Sequence, residues 1–285
     1  MPGSKARALI KARSLPADVL LLDLEDAVAM AEKERAREAL ATALLEGGYA
    51  PREVVIRVNG AGTPWHAEDL TMAARVAAAG GADAVLLPKV ESAAMLEETA
   101  EALTAAGAPA DLALWAMIET PRGILAVAEI AAHPRLACLV LGTNDLLADL
   151  RAAFTADRAA LLPHLIASVL AARAHGLGVL DGVYNAFKDD EGLRAECEQG
   201  LALGMDGKTL IHPAQLGVAN AVFAPSAAEV ETARRQLTAF EAAEARGEGV
   251  AVVDGKIVEN LHAASARRVI AVADAIAALE ATSTT

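Results

Sequence analysis

Apolar residues in this chain gather in short unbroken runs instead of alternating with polar ones. Seven such runs recur: VLLLDLED (19–26), VVIRVNG (54–60), AVLLPKV (84–90), LALWAMIET (112–120), LACLVLGTND (136–145), GLGVLDGVY (176–184) and MDGKTLIHP (205–213). Each is rich in Val, Leu or Ile, and most close on polar residues. Between them lie stretches of helical period such as EKERAREALATALL and ESAAMLEETAEALTAA. The runs follow one another at roughly 25–40 residues, the length of a βα unit. Strands that are apolar throughout, separated by helices, predict a parallel sheet covered on both faces.

Seven units is one short of a TIM (β/α)8 barrel, the expected fold. The chain opens on Pro2-Gly3-Ser4, which reads as a loop after a strand, and ARALIKARSLP reads as the helix that follows. Met1 is therefore expected at the end of a truncated first strand, the rest lying outside the sequence through the choice of start site or chain boundary. A seven-stranded or open α/β sheet is the alternative. After Pro225 the pattern changes. Residues 226–246 read as one helix, VAVVDGKIVEN as a hairpin turning at Asp254-Gly255, and about 262–281 as a second helix. The expected division is a barrel over 1–225 and a helix–hairpin–helix extension over 226–285 that serves as a lid, an oligomerisation arm or a packing appendage.

Composition narrows the function. The 285 residues are 54% hydrophobic and 22% charged, which excludes a disordered chain. A net charge of −13 argues against a nucleic-acid or anionic-membrane surface. Cys138 and Cys197 match no metal spacing and read as reduced thiols of a cytoplasmic protein. No apolar run reaches membrane-spanning length, and the first residues lack a signal-peptide core.

Barrel chemistry sits at the carboxyl ends of the strands. Those positions hold Asp23, Glu25 and Asp26; Arg57 and Asn59; Lys89 and Glu91; Glu119 and Thr120; Asn144 and Asp145; Asp181 and Tyr184; and His212. So many carboxylates on one rim repel unless a cation shares the site. With no His pair or Cys set, zinc is a poor fit, and oxygen donors suit Mg2+ or Mn2+. Glu119 and Asp145, after long apolar strands of successive units, are the expected metal ligands; as carboxylates before helices they would serve equally as caps. Arg57 is placed to grip a carboxylate in bidentate fashion, or to close a rim salt bridge. Lys89 reads as structural, paired with a neighbouring acid, and His212 as a packing histidine. His66, His133, His164, His175 and His262 read as solvated or helical. Lys5, Arg7 and Lys11 form a small basic cluster that suits a phosphate-bearing ligand or simply solvent.

In order along the chain, PGSKARALIKA, LLDLEDAV, VVIRVNG, VLLPKVES, AMIETPRG, LGTNDL and GMDGKTLIHPAQ, followed by VFAPS, resemble the citrate lyase β-subunit-like (CitE-like) branch of the HpcH/HpaI aldolase superfamily. The resemblance implies a TIM barrel binding Mg2+ through Glu119 and Asp145, with Arg57 on the carboxylate of a 2-oxo acid. Glu25 and Asp26 would hold metal-bound water, and Lys5 and Lys11 would lie against coenzyme A, although the first is commonly Arg in relatives. Substrate contacts are thus expected from Arg57, Glu119, Lys5 and Lys11. It further implies a homo-oligomer, trimer or hexamer, whose tail closes over a neighbouring subunit's site. Relatives usually end the tail hairpin in Met-(Ile/Val)-Asp, the Asp taking part in proton transfer. This chain has Lys256-Ile257-Val258-Glu259, so Glu259 is the expected proton carrier with an added methylene.

The expected activity is metal-dependent carbon–carbon cleavage, or formation, of a 3-hydroxy-acyl-CoA such as malyl-CoA or citryl-CoA, giving an acyl-CoA and a 2-oxo acid. The alternatives are a malyl-CoA thioesterase, a CoA-independent pyruvate aldolase, and a subunit of a citrate lyase-type complex. The aldolase ranks third, after the lyase and the thioesterase, because those relatives place a His near the first acidic strand end and LDLEDAV has none.

Overall fold

The structure of the protein, a computed structural model, describes residues 1–283. Seven parallel strands run in sequential order: β1 (Val19–Asp23), β2 (Glu53–Arg57), β3 (Ala84–Leu87), β4 (Ala113–Ile118), β5 (Leu136–Leu141), β6 (Gly178–Asp181) and β7 (Gly207–Lys208). Helices α1 (Ala6–Ala12), α2 (Lys33–Glu46), α3 (His66–Ala78), α4 (Ala93–Ala105), α5 (Pro121–Leu125), α6 (Val127–Ala131), α7 (Thr143–Leu150), α8 (Leu162–His175), α9 (Asp190–Leu203) and α10 (Leu216–Phe223) fill the connections. This is the sequential winding of a TIM-barrel-like fold.

Two separate cores explain why the strands are apolar throughout. One face of the sheet, with Leu22, Ile56, Leu87, Leu114 and Leu139, packs on the helix layer through Leu40, Leu44, Leu96 and Ile130. The other face, with Leu21, Val55, Leu86, Trp115, Met117 and Val140, forms its own inner cluster. Side chains alternate between faces along a strand. Asp23 therefore follows Leu21, and Arg57 follows Val55, onto the inner face.

Residues 1–3 lie along the free edge of β1. Pro2 makes a parallel bridge to Asp23. Gly3 N donates to Asp23 O and Asp23 N to Met1 O, both at 2.7 Å. Two strands are shorter than their apolar runs imply. The run over 205–213 yields only Gly207–Lys208, and the run over 176–184 only Gly178–Asp181. Beyond those points the backbone turns into loops, closed by a short 3-10 turn at Pro213–Gln215.

The chain divides into two compact units between Ala219 and Asn220, inside α10. The second unit holds α11 (Ala227–Glu244), β8 (Ala251–Val253), β9 (Lys256–Val258) and α12 (Asn260–Ser283). Ser226 and Glu229 form a capping box that starts α11. Asp254 and Gly255 both adopt positive φ, 52° and 74°, as a two-residue hairpin turn requires. Phe240, Ala243, Ala251, Val258 and Ala263 make this unit's own core. Among the described residues no helix is long and apolar enough to cross a membrane.

Candidate active site

The carboxyl ends of β1 to β5 gather most of the expected site. Asp23 and Arg57 are register partners across the β1–β2 ladder. Arg57 Nε donates to Asp23 Oδ1 at 2.7 Å and Nη2 to Oδ2 at 2.6 Å. Its remaining nitrogen, Nη1, meets Glu25 Oε2 at 2.8 Å and Met117 Sδ at 3.7 Å. Glu25 N and Ala27 N also donate to Asp23, at 2.8 and 3.1 Å. Burial pushes the Asp23 carboxyl up, but the hydrogen bonds and charge of Arg57 bring it below its ordinary value. Glu25 goes the other way: burial raises it, Arg57 offsets this in part, and the charge of Asp26 adds to the rise. Asp26 itself is exposed. The Glu25 loop is held from beneath by Lys33, whose buried Nζ donates to Leu24 O at 2.8 Å and Glu25 O at 2.7 Å.

Glu119 follows β4 and is buried, at 3% exposure. Lys89 N donates to its Oε1 at 2.8 Å. Burial, in the main, pushes its carboxyl up to about 7; Lys89 counters this, while Asp145 and Glu25 reinforce it. Asp145 stands in the first turn of α7, one residue beyond Asn144. Its Oδ2 accepts from Lys89 Nζ. A single lysine thus touches both expected metal ligands. Gly142, just before α7, makes the space: a Cβ there would lie 2.3 Å from Glu119 Oε2.

These residues fit a hard divalent ion. Glu119 is a buried carboxylate short of positive charge, and Asp145 and Glu25 are close enough to raise its proton affinity. Among the described residues no group of three or more His, Cys, Asp or Glu side chains forms a metal cage. Two carboxylates with the remaining positions left to water and substrate are what Mg2+ uses.

Beside this cluster a groove of about 480 Å3 runs from Glu25, Asp26 and Met30 past Asn59 and Trp65 to Pro88, Lys89 and Met95. Lys5, at the head of α1, and Lys11, in its last turn, are exposed, and neither makes an ion pair among the described residues. Glu259 belongs to the second unit, where it is exposed between β9 and α12, its N–H donating to His262 Nδ1 at 3.1 Å.

Several residues take places that the sequence does not announce. Asp181, expected at the rim, is fully buried below it: Arg158 Nη1 donates to its two oxygens at 2.8 and 2.7 Å and Lys208 Nζ to Oδ2 at 3.2 Å. His133 is not solvated: it is buried, its Nε2 lying 3.1 Å from Glu97 Oε2. His212 caps the 3-10 turn and stacks on Phe187, with ring centroids 4.6 Å apart. Lys89 meets a neighbouring acid as expected, in Asp145, whereas the sequence assigns no chemistry to Asp23. The signal for Asp23 is its position at a strand's carboxyl end.

A family model for HpcH/HpaI aldolase/citrate lyase matches residues 1–213, and the chain belongs to that family. It is 57% identical over 281 residues to the (3S)-malyl-CoA thioesterase of Cereibacter sphaeroides, covering 99% of this chain and 95% of that protein. It is 36% identical over 280 residues to citrate lyase subunit beta of Escherichia coli, covering 96% of this chain and 91% of that one. The crystal structure of protein CitE from Mycobacterium tuberculosis, in complex with magnesium, acetoacetate and coenzyme A, matches with a TM-score of 0.75 at 32% identity, covering 96% of each chain.

Proposed function

We propose that this protein is a Mg2+-dependent enzyme that hydrolyses the thioester of a malyl-CoA-type substrate. The observation that carries the reading is the rim on which Glu119 and Asp145 share one lysine beside the Arg57–Glu25 pair, in a chain 57% identical over nearly its whole length to a (3S)-malyl-CoA thioesterase. A Mg2+ bound by Glu119 and Asp145 supplies Lewis-acid polarisation of substrate oxygens. Arg57, whose three nitrogens already hold Asp23 and Glu25, is the cation proposed to attract the substrate's free carboxylate. Glu25, whose proton affinity is raised, and the exposed Asp26 border the groove and are placed to orient water there and accept its proton. Water adds to the thioester carbonyl, the C–S bond breaks, and the thiolate leaves with a proton as free coenzyme A. Lys5, just before α1, and Lys11, in its last turn, are the cations proposed to meet its phosphates.

Carbon–carbon cleavage of the same substrate class is the second reading, favoured by the 36% identity to citrate lyase subunit beta. It leaves a carbanion on the acyl-CoA that must take up a proton, and Glu259 is the carboxylate proposed for that step. Hydrolysis needs no such donor. Incubating the lone protein with malyl-CoA and Mg2+ separates the two: free CoA with malate supports hydrolysis, whereas acetyl-CoA with glyoxylate overturns it in favour of cleavage. Glu259→Gln slows cleavage and leaves hydrolysis unchanged. Turnover that survives EDTA would remove the metal from either scheme.

A further inference from the structure

Lys89 has an unusual backbone and two unusual contacts. Its φ is +50°, in the left-handed region that side chains disfavour and glycine adopts freely. A lysine kept in such a conformation signals use of its side chain. The conformation turns the peptide N–H toward Glu119 Oε1, at 2.8 Å, and sends the ammonium to Asp145 Oδ2. The two anchors differ in permanence. The N–H belongs to the backbone, preceded by Pro88 and followed by Val90, whose N–H is tied to Met117 O at 3.1 Å. The ammonium arm is 47% exposed and its Asp145 partner 39%, and an ion pair so open to water is weak.

We propose that the Lys89 ammonium is a tethered counter-ion of the metal site, held on Asp145 until a divalent ion displaces it. This rests on the reading of Glu119 and Asp145 as metal ligands. Without a metal, the one ammonium pairs directly with Asp145, while the Glu119 carboxylate takes a hydrogen bond from the Lys89 N–H. A divalent ion serves both carboxylates at once, so it outcompetes the lysine, and the N–H remains to orient Glu119. The released arm stays at the mouth of the groove that Lys89 itself lines. Lys89 is thus a positioning residue: it keeps two like charges from repelling each other out of register before the ion arrives.

Calorimetric titration with Mg2+, together with amine labelling read by mass spectrometry, tests the exchange. Lys89→Met removes the charge, and Lys89→Gly removes it while suiting the left-handed backbone and retaining the N–H. Both variants are expected to bind Mg2+ several-fold more tightly than the wild type. In the wild type, saturating Mg2+ is expected to raise acylation of Lys89 several-fold relative to the exposed Lys5 and Lys11. If the wild type binds Mg2+ but the variants bind no more tightly, or labelling of Lys89 does not rise, the exchange is overturned and the metal site stands. If the wild type binds no Mg2+ at all, the metal site is overturned and the exchange with it.

Discussion

Arg57 and Asp23, partners in the β1–β2 register, close a two-pronged salt bridge with Nε–Oδ1 at 2.7 Å and Nη2–Oδ2 at 2.6 Å. The third nitrogen reaches Glu25, so one guanidinium holds two carboxylates whose proton affinities move in opposite directions. Asp23 lies below its ordinary 3.8, so its stabilisation is fully present above that pH and is lost as pH falls through its folded value. Glu25 lies above its ordinary 4.5, so ionising it opposes folding, and that stability is lost as pH rises through its folded value.

The pair therefore predicts variants of opposite sign. Asp23→Asn leaves a buried guanidinium short of its main partner and lowers stability at pH 7 by about 3 kcal/mol. Glu25→Gln stays within about 1 kcal/mol of the wild type or exceeds it, because it removes a charge that the fold disfavours. Denaturant melts at pH 7 and pH 3 measure both effects. The Asp23→Asn deficit should shrink at the lower pH, and a deficit independent of pH would sink the assignment.

Gly142→Ala tests the space around Glu119. The added carbon would lie 2.3 Å from Oε2 and 2.4 Å from the Glu119 Cβ, closer than atoms tolerate. A Cβ cannot rotate away, so relief requires the backbone at Gly142 or Glu119 to shift, and the Glu119 carboxylate moves with it. Mg2+ affinity should fall about tenfold or more, the equivalent of about 1.4 kcal/mol, alongside an overpacking loss of about 1–3 kcal/mol in stability. Calorimetry with Mg2+ and a thermal melt read the two separately. Unchanged affinity would show that Glu119 does not hold the ion from this position.

Lys33→Met addresses the platform beneath Glu25. The ammonium satisfies two buried carbonyls, Leu24 O and Glu25 O, and lies 5.5 Å from the centre of the Trp65 ring. Methionine fills the volume and takes the ammonium from Leu24 O, at about 1–3 kcal/mol, while Glu25 O keeps the Val28 N–H at 2.9 Å. The expected result is a destabilised protein with raised KM, because the Glu25 loop borders the groove proposed for the substrate. A variant as stable as the wild type would mean that water replaces the ammonium at Leu24 O.

How far the sequence speaks for this site depends on whether each residue's partner is local. Glu119 and Asp145 are legible because each closes an apolar run, and a run's end marks the barrel rim. The hairpin at Asp254-Gly255 is legible for the same local reason, a two-residue turn with its own chemistry. The Asp23–Arg57 pair is not, because strand register is fixed by packing between residues 34 apart in sequence. Lys89 looks like an ordinary rim cation, since nothing in PKV announces a left-handed backbone. Asp181 also reads as a rim acid, yet Arg158 folds back from the loop between α7 and α8 and draws it into an enclosed network. His133 escapes notice because its polar partner, Glu97, lies 36 residues earlier.

That enclosed network supplies the sharpest prediction about stability. Asp181, Glu196, Arg158 and Lys208 are all buried side chains, two negative and two positive. Lys208 Nζ lies 2.5 Å from both Glu196 Oε1 and Gly182 O, and Arg158 Nε donates to Gln199 Oε1 at 2.6 Å. Asp181 is the hub, because both cations bind its carboxylate. Asp181→Leu leaves them facing one remaining acid in a dry interior, which should cost about 3–5 kcal/mol. For a domain of this size that is a fall in Tm of about 10 °C. Asp181→Asn keeps an acceptor for one cation and should lose about half as much. Because Gly182 and Lys208 sit at the ends of β6 and β7, the loss should appear first as faster amide exchange in those two strands, ahead of β1 to β4. Wild-type exchange there in Asp181→Leu would show that the sheet's last strands are held by packing alone.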